Sequence, residues 1–223
     1  MNPSIRILLR NAAQALMPAL LILGSVQLLI FTAKTWIPWE YRRASFPADT
    51  YGFSTADRIY LSAIDMDYLL KDLDISYFDD FTLPDGSPMH NERELRHFED
   101  VLRIVKGSQR VFWGALIAVG LSLALLWRFE GSELALESIR IGAIWTLGLL
   151  TLLGIGLALA FGVVFTGFHQ IFFDPNTWTF LYSDTFIRLY PERFWQDAII
   201  AVVGLTIFDS GILYFITGAL LKR

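Results

Sequence analysis

Four long runs of uncharged, mostly apolar residues alternate with polar segments along the chain. They cover residues 11–33, 111–127, 141–165 and 198–221, and only Asp209 interrupts the last of them. Each run is close to the ~20 residues that an α-helix needs to cross ~30 Å of hydrocarbon. The pattern therefore predicts an all-α membrane protein with four transmembrane helices.

The same pattern divides the chain into seven segments. They are residues 1–33 (cytoplasmic amino terminus and first span), 34–110 (a small, mainly helical extracytoplasmic domain), 111–128 (second span), 129–139 (cytoplasmic loop), 140–165 (third span), 166–197 (extracytoplasmic interfacial segment) and 198–223 (fourth span and carboxyl terminus). No small-x-small cleavage site follows the first run, so we expect this run to be retained as a signal anchor.

The cations nearest the span ends predict the orientation. Those on one side of the membrane are Arg6, Arg10, Arg128, Arg140, Lys222 and Arg223. The positive-inside tendency makes that side cytoplasmic. Arg103, Lys106 and Arg110 oppose this orientation, but they belong to a loop longer than ~60 residues, and such loops often escape the rule. With either orientation, the three histidines of the chain share one side of the membrane.

Composition narrows the possible chemistry. The chain is 54% hydrophobic, with a mean hydropathy of +0.47, and it has no cysteine. Disulfide frameworks and thiolate metal sites are therefore excluded. In residues 34–110 the acidic residues outnumber the basic ones. Because nucleic-acid binding depends on clustered Lys and Arg, we expect the partners to be membrane lipid and a membrane-bound substrate rather than nucleic acid.

Two helices are predicted within residues 34–110. Ser54 and Asp57 form a capping pattern for a helix that runs to about Leu73. The residues at helical spacing that should form its apolar face are Ile59, Ala63, Met66 and Leu70. Asn91 and Glu94 form a second capping pattern, and the helix that follows either ends at Gly107 or continues into the second span.

The second of these helices carries a candidate catalytic histidine. Glu94, His97 and Asp100 share one face, because residues three or four apart are neighbours on a helix. A carboxylate one turn away can orient an imidazole and stabilise its protonated form. On this pattern alone, a solvated surface residue beside a salt-bridge partner is the more common explanation for His97.

The segment that follows the third run carries the other candidate. His169 lies at the end of a long apolar run, and the residues after it are rich in aromatic rings, which favour the membrane interface. Small residues at intervals of four precede it: Gly154, Ala158, Gly162 and Thr166. They predict a close approach of another helix. Asp209, near the middle of the fourth span, is a candidate functional carboxylate. Alternatively, it is protonated or accepts a hydrogen bond from a neighbour such as Gln27 or Ser122.

Two stretches of sequence resemble the signatures of a known family. They are residues 91–101, NERELRHFEDV, and residues 168–173, FHQIFF. Together with Trp178, Phe180, Asp184, Arg188 and Pro191, they resemble the bacterial integral membrane proteins that include Lit, the lipoprotein intramolecular transacylase. Phe98 stands where that family is expected to have methionine, and His90 matches none of its motifs.

This resemblance implies an acyl transfer within one lipoprotein. An ester-linked chain would move from the glyceryl sn-2 oxygen to the α-amine of the diacylglyceryl-modified cysteine, with no cofactor, and leave a lyso-form lipoprotein. His97 and His169 would act as base and as acid or oxyanion stabiliser. The supporting residues that the resemblance implies are Glu94, Asp100 and Asp184 to orient an imidazole, Arg93 or Arg188 as oxyanion donor, and Trp178 to line the lipid chain. Arg188 could instead pair with Asp184, and Trp178 could instead anchor the interface.

Two other functions are compatible with the sequence. One is a zinc-dependent membrane hydrolase that uses His90, His97 and His169, although no HExxH-type spacing is present. The other is a membrane receptor or assembly factor without enzymatic activity. A monomer is compatible with all three functions.

Overall fold

The computed structural model describes residues 1–222, apart from the side chain of Ala158. Arg223, one of the cations used above to predict the orientation, lies outside this range. The helices are α1 (Pro3–Phe31), α2 (Ala33–Arg42), α3 (Thr55–Lys71), a 3₁₀ helix (Ile75–Asp80), α4 (Glu92–Glu130), α5 (Ser132–Phe172), α6 (Thr185–Leu189) and α7 (Glu192–Leu220). In the described residues, four helices are long and apolar enough to cross a membrane: Pro3–Phe31, Glu92–Glu130, Ser132–Leu157 and Glu192–Leu220. The predicted all-α membrane fold with four spans is confirmed.

Helix α4 is much longer than a bilayer is thick. Its 39 residues measure ~58 Å at 1.5 Å per residue, about twice the ~30 Å of hydrocarbon. Charged residues are frequent up to Arg110, and the uncharged part begins at Val111. The membrane-crossing part of α4 is therefore its second half, and His97 lies in the charged first half, outside the span. Of the two alternatives for Gly107, the continuous helix is the correct one.

Two connections differ from the sequence interpretation. Residues 129–139, interpreted as a loop, are helical except for Gly131, whose φ of +96° allows the chain to turn within one residue. Glu133 in the first turn of α5 suits the positive end of the helix dipole. Helix α5 is itself broken at Ala160, where φ is −151° and ψ is 49°. The third predicted span, 140–165, is therefore two helical pieces.

The predicted small-residue contact is not formed. No described heavy atom lies within 4 Å of a Cβ built on Gly154 or Gly162. The break at Ala160 separates these two glycines, so they do not belong to one straight helix face. The close approach occurs instead at Gly142, where a Cβ would lie 2.7 Å from the Cβ of Met17.

The chain forms two compact units. The first comprises residues 1–27, 108–161 and 200 onward. Polar bonds join its helices: Gln27 Nε2 donates to Ser108 Oγ (2.9 Å), and Thr206 Oγ1 donates to Ser25 Oγ (2.9 Å). Asp209 is exposed, and Gln27 is not its donor, so the expected bond between these two residues is absent.

The second unit comprises residues 28–107 and 162–199. It contains α2, α3, the 3₁₀ helix, the first half of α4, α6 and the start of α7 around an aromatic core. The largest fully buried side chains in this core include Tyr68, Phe98, Ile37, Met89 and Leu189. The capping box of Ser54 and Asp57 at the start of α3 is confirmed.

The buried face of α3 differs from the predicted one. Of the four residues expected to be buried only Met66 is, and Leu70 is 37% exposed. The buried face is rich in polar residues, which lie beside Leu61: Arg58, Ser62, Asp65 and Tyr68. Hydrophobic periodicity assigns polar residues to the exposed face. It therefore misses these positions, whose polar groups are buried with partners inside the unit. Arg58 Nη1, for example, donates to the carbonyl of Pro47 (2.8 Å).

Candidate functional site

The fold brings His97 and His169 together within the second unit. Their imidazole rings are nearly parallel, at an angle of 16°, with 6.3 Å between the centroids. Both side chains are buried, with residue exposures of 3% for His97 and 8% for His169. The ring of Phe173 stacks at 4.8 Å from each imidazole. The alternative of a solvated surface histidine at position 97 is therefore wrong.

Other aromatic rings enclose the two imidazoles. Phe180 and Phe186 form T-shaped contacts with the ring of His97, with centroid distances of 5.2 and 4.8 Å. Trp178 lies 5.2 Å from the ring of His169, so it belongs to the site itself. The two histidines are thus packed among aromatic rings and are not exposed on a polar surface.

The start of α4 fixes the position of His97. Asn91 Oδ1 accepts hydrogen bonds from the backbone N–H groups of Arg93 (3.0 Å) and Glu94 (3.1 Å). In return, Glu94 Oε2 accepts one from the Asn91 N–H (2.7 Å), which completes the predicted capping box. His97 follows one turn after this cap, on the same buried face as Glu94 and Asp100.

A backbone carbonyl determines the tautomer of His169. Its Nδ1 lies 2.7 Å from the carbonyl oxygen of Phe165. Because a carbonyl oxygen can only accept, Nδ1 carries the proton, and in the neutral ring the lone pair is on Nε2. For His97, Nδ1 is buried and has no hydrogen-bond partner among the described residues.

Burial favours the neutral form of both rings. The pKa of His97 is lowered to about 4. Burial is the largest cause and the charge of a protonated His169 adds to it, while Asp100 opposes the shift. Burial also lowers the pKa of His169, against the opposing effect of its bond to the Phe165 carbonyl. At neutral pH two uncharged imidazoles therefore lie side by side, and an uncharged imidazole can accept a proton.

The three carboxylates that were expected to orient an imidazole make hydrogen bonds to other groups. Glu94 Oε1 accepts from the Phe186 N–H (2.5 Å), in addition to its capping bond. Asp184 accepts from the Leu181 N–H (2.8 Å) and from Asn91 Nδ2 (3.2 Å). Neither makes a hydrogen bond to His97 or His169, because the acceptor oxygens of both already serve caps and turns.

Asp100 connects α4 to the loop that carries Trp178. Its Oδ2 accepts from the hydroxyl of Thr177 (2.8 Å) and from the Asp174 N–H (3.4 Å), and its Oδ1 accepts from Arg103 Nη2 (2.7 Å). Asp100 therefore positions the residues around His169 and does not orient the ring of His97.

The two arginines expected as oxyanion donors are engaged elsewhere. Nε and Nη2 of Arg188 donate to Oδ2 of Asp49, at 3.2 and 3.0 Å, and the alternative pairing with Asp184 is not formed. Arg93 Nη1 donates to the carbonyl of Thr179 (3.1 Å). Asp49 was not identified from the sequence, since it lies in a stretch without regular structure and far from Arg188 along the chain.

His90, Asp65, Tyr190 and Glu94 form a buried polar cluster beside the site, which was not predicted from the sequence. His90 Nε2 lies 2.8 Å from Asp65 Oδ1, the hydroxyl of Tyr190 donates to Asp65 Oδ2 (2.8 Å), and His90 Nδ1 faces Glu94 Oε1 at 3.8 Å. Burial alone would lower the pKa of His90, but the carboxylates of Asp65 and Glu94 raise it to about 9. The signal that could have revealed this cluster is the position of Asp65, between Ile64 and Met66 and one turn from Leu61.

The three histidines do not form a common metal site. Within residues 1–222, no three side chains of His, Asp or Glu are grouped closely enough to hold a metal ion. His90 is directed at Asp65, away from the arrangement that the hydrolase alternative requires.

Comparisons with known proteins give one matching family, one relative and similar solved structures. The family described as the lipoprotein intramolecular transacylase Lit matches residues 13–195. An uncharacterized protein from Aquifex aeolicus (strain VF5) is 33% identical over 202 residues, which cover 90% of this chain and 89% of that protein. The in meso structure of the membrane integral lipoprotein intramolecular transacylase Lit from Bacillus cereus is similar in fold, with a TM-score of 0.67 at 18% identity; the match covers 98% of this chain and 94% of the other. A histidine-to-alanine variant of the same protein gives a TM-score of 0.64 at 17% identity, with the same coverage.

Proposed function

Because the chain belongs to the family of the lipoprotein intramolecular transacylase Lit, we propose that it moves an acyl chain within a single diacylglyceryl-modified lipoprotein in the bacterial cell membrane. In this reaction the α-amine of the amino-terminal cysteine attacks the ester carbonyl at the glyceryl sn-2 position. The carbon–nitrogen bond forms, the carbon–oxygen bond breaks, and the nitrogen gives up a proton while the glyceryl oxygen gains one. The product is a lyso-form lipoprotein with an N-acyl group.

One observation supports this proposal above all others: two buried imidazole rings lie among aromatic side chains with their centroids 6.3 Å apart. This separation is small enough for one reacting centre to contact both rings, as proton transfer to and from the substrate requires. The transfer needs one group to remove a proton and another to supply one. Two neighbouring neutral histidines can perform both tasks.

The two imidazoles suit different roles. In His169 the Phe165 carbonyl holds the proton on Nδ1, so Nε2 presents a lone pair and can act as the base for the α-amine. In His97 the buried Nδ1 has no described partner. Leaving a buried acceptor unpaired is more common than leaving a buried N–H unpaired, which favours the His97 tautomer with its proton on Nε2. Nε2–H of His97 can then donate to the oxyanion and protonate the leaving glyceryl oxygen, and His97 regains this proton from the imidazolium that His169 became when it took the amine proton.

The energetics need no protein nucleophile and no cofactor. The nucleophile is the amine of the substrate, and conversion of an ester to an amide is downhill. Holding amine and ester together can lower the barrier by roughly 7–11 kcal/mol, and general acid–base catalysis adds roughly 10²–10⁴-fold. The chain therefore has to supply a shaped apolar pocket and two correctly protonated imidazoles.

The aromatic residues around the imidazoles suit the lipid part of the substrate. Phe173, Trp178 and Phe180 offer apolar surface against the two histidines, where an acyl chain or the glyceryl group can lie. The positive-inside tendency of the cations near the span ends supports an extracytoplasmic location for this surface.

The test is mass spectrometry of lipoprotein amino termini in a bacterial host that makes diacyl or triacyl forms. Cells that express the chain should gain the lyso form, and cells that express His97→Ala or His169→Ala should not. Glu99→Gln is the matched control, because Glu99 is exposed on the same helix as His97. Unchanged amino termini with well-expressed wild-type protein would contradict the proposal.

A further inference from the structure

The short helix α6 is held at both ends by buried carboxylates. Near its start, the Phe186 N–H donates to Glu94 Oε1 on α4. Just after its end, the hydroxyl of Tyr190 donates to Asp65 Oδ2 on α3. Five residues cannot form a stable helix alone, so contacts to other elements determine where α6 lies. Besides these two, Arg188 of α6 pairs with Asp49, and the hydroxyl of Tyr41 donates to the Leu189 carbonyl.

His90 lies between the same two carboxylates. Its Nε2 is 2.8 Å from Asp65, its Nδ1 is 3.8 Å from Glu94, and the side chains of all three residues are at most 2% exposed. Two buried carboxylates without a cation would repel each other and lose their hydration without compensation. Only the imidazolium form of His90 presents an N–H to both carboxylates.

Helix α6 carries a ring of the candidate site. The rings of Phe186 and His97 meet in a T-shaped contact, with a centroid distance of 4.8 Å and an angle of 89°. Phe186 also packs against Phe98 (5.4 Å), which in turn lies 4.8 Å from the ring of His90. The position of Phe186, and with it the exclusion of water from His97, depends on the contacts that hold α6.

We propose that His90 is a positioning residue, which with Asp65 and Glu94 fixes α6 so that Phe186 closes the pocket over His97. This role deepens the proposed function, since it concerns the same pair of histidines. His90 does not contact the reacting atoms; it acts through Glu94, Phe186 and the environment of His97.

The surroundings of His90 identify the group that titrates. Asp65 faces it from α3 and Glu94 from α4, while the rings that pack on it, Phe78 and Phe98, carry no charge. Tyr190 faces Asp65 on the other side. Loss of the His90 proton at high pH would leave two carboxylates without their shared cation and release α6, so activity should fall on the alkaline side.

The experiment uses full-length protein in lipid, a diacylglyceryl lipopeptide and lyso-form production at pH 5–10. We expect His90→Gln to lower kcat roughly ten- to a hundredfold, as misplacement of a supporting group does, with a smaller effect on KM. It should also abolish the alkaline fall of the wild type near pH 9. The double variant Asp65→Asn/His90→Gln should recover part of the loss, since it removes the cation together with one carboxylate. Glu99→Gln serves as the control.

Two results would overturn the proposal. One is a folded His90→Gln variant with the kcat and the alkaline limb of the wild type. The other is a neutral His90 at pH 7.5 in a histidine NMR titration of the wild-type protein, a measurement that does not depend on the variant folding. If the wild type forms no lyso product at any pH, the proposed function fails, and the titration still decides the charge of His90.

Discussion

His97 and His169 lie with their imidazole rings nearly parallel and 6.3 Å apart, and neither ring makes a hydrogen bond to a described carboxylate. This differs from the familiar arrangement in which a carboxylate orients a catalytic histidine. Here a backbone carbonyl orients one imidazole, and packed aromatic rings hold the other. Apolar enclosure lowers the pKa of each histidine, whereas a carboxylate would raise it.

The first prediction concerns acid. The pKa of His97 is about 4 in the folded protein, against ~6.5 in an unfolded chain. Because the unfolded state binds this proton more tightly, stability should fall as the pH drops from ~6.5 through 4, by at most roughly 3 kcal/mol from this group. Thermal unfolding at a series of pH values measures it, and His97→Phe should reduce the acid-side loss. An identical acid-side loss in both proteins would contradict the prediction.

The second prediction concerns alkali. The raised pKa of His90, about 9, means that the folded state binds its proton more tightly than the unfolded state does. The resulting stability is fully present below ~6.5 and is lost as the pH rises through 9; it amounts to at most roughly 3 kcal/mol. Thermal unfolding between pH 6 and 10 should show this decline in the wild type. A flat profile would mean that His90 is not held as a cation.

The third prediction tests the bond from Thr177 to Asp100. Thr177→Val keeps the shape of the side chain and removes the hydroxyl that donates to a buried carboxylate. We expect the free energy of unfolding to fall by roughly 1–3 kcal/mol. The rate of lyso-form production should also fall, because the loop that carries Trp178 loses its bond to α4. Thr179→Val is the matched control in the same loop, at an exposed position. Equal effects of the two substitutions on melting temperature and rate would argue against a positioning role for Asp100.

The fourth prediction tests the enclosure of His97 by Phe186. Phe186→Ala should destabilise the protein by roughly 3–5 kcal/mol, because a buried ring is replaced by a cavity. Water that enters the cavity should move the pKa of His97 upward from its low value. Phe186→Leu should have a smaller effect on both. Histidine NMR titration and thermal unfolding provide the measurements, and an unchanged His97 pKa in the alanine variant would disprove the enclosure argument.

The fifth prediction separates stability from catalysis at Arg188. The pair of Arg188 and Asp49 is largely buried, with side-chain exposures of 11% and 3%. Arg188→Gln should lower the free energy of unfolding by roughly 3–5 kcal/mol, the range for breaking a buried ion pair, because it leaves the Asp49 carboxylate without its cation. Glu94 and Asp65 still hold both ends of α6 in this variant, so the kcat per folded molecule should fall far less than it does in His90→Gln. A drop in kcat as large as that of His97→Ala in a folded variant would support Arg188 as an oxyanion donor.

Local and one-dimensional features of the fold could be predicted from the sequence. The four spans follow from uncharged runs that a bilayer requires, and the caps at Ser54 and Asn91 depend on residues three positions apart. The turn at Gly131 was missed because a single glycine with positive φ can replace a loop. The break at Ala160 has no signal in its residue type.

The candidate site was predictable only in part. His97 and His169 were identified through their motifs, and their proximity is a result of the fold. The long-range partners of Asp100, Glu94 and Arg188 lie 74 to 139 residues away along the chain, so no spacing rule indicates them. Asp65 and His90 were overlooked for a related reason: a buried charge is recognised only when its counterion is visible in three dimensions.

The bond from His169 to the Phe165 carbonyl has a consequence for sequence drift. Its acceptor is a main-chain atom one helical turn before the histidine. Substitution of the Phe165 side chain leaves that oxygen in place as long as the helix persists. The tautomer of His169 is therefore insensitive to which amino acid occupies position 165, and descendants of this chain can vary there without changing which imidazole nitrogen is available to a substrate.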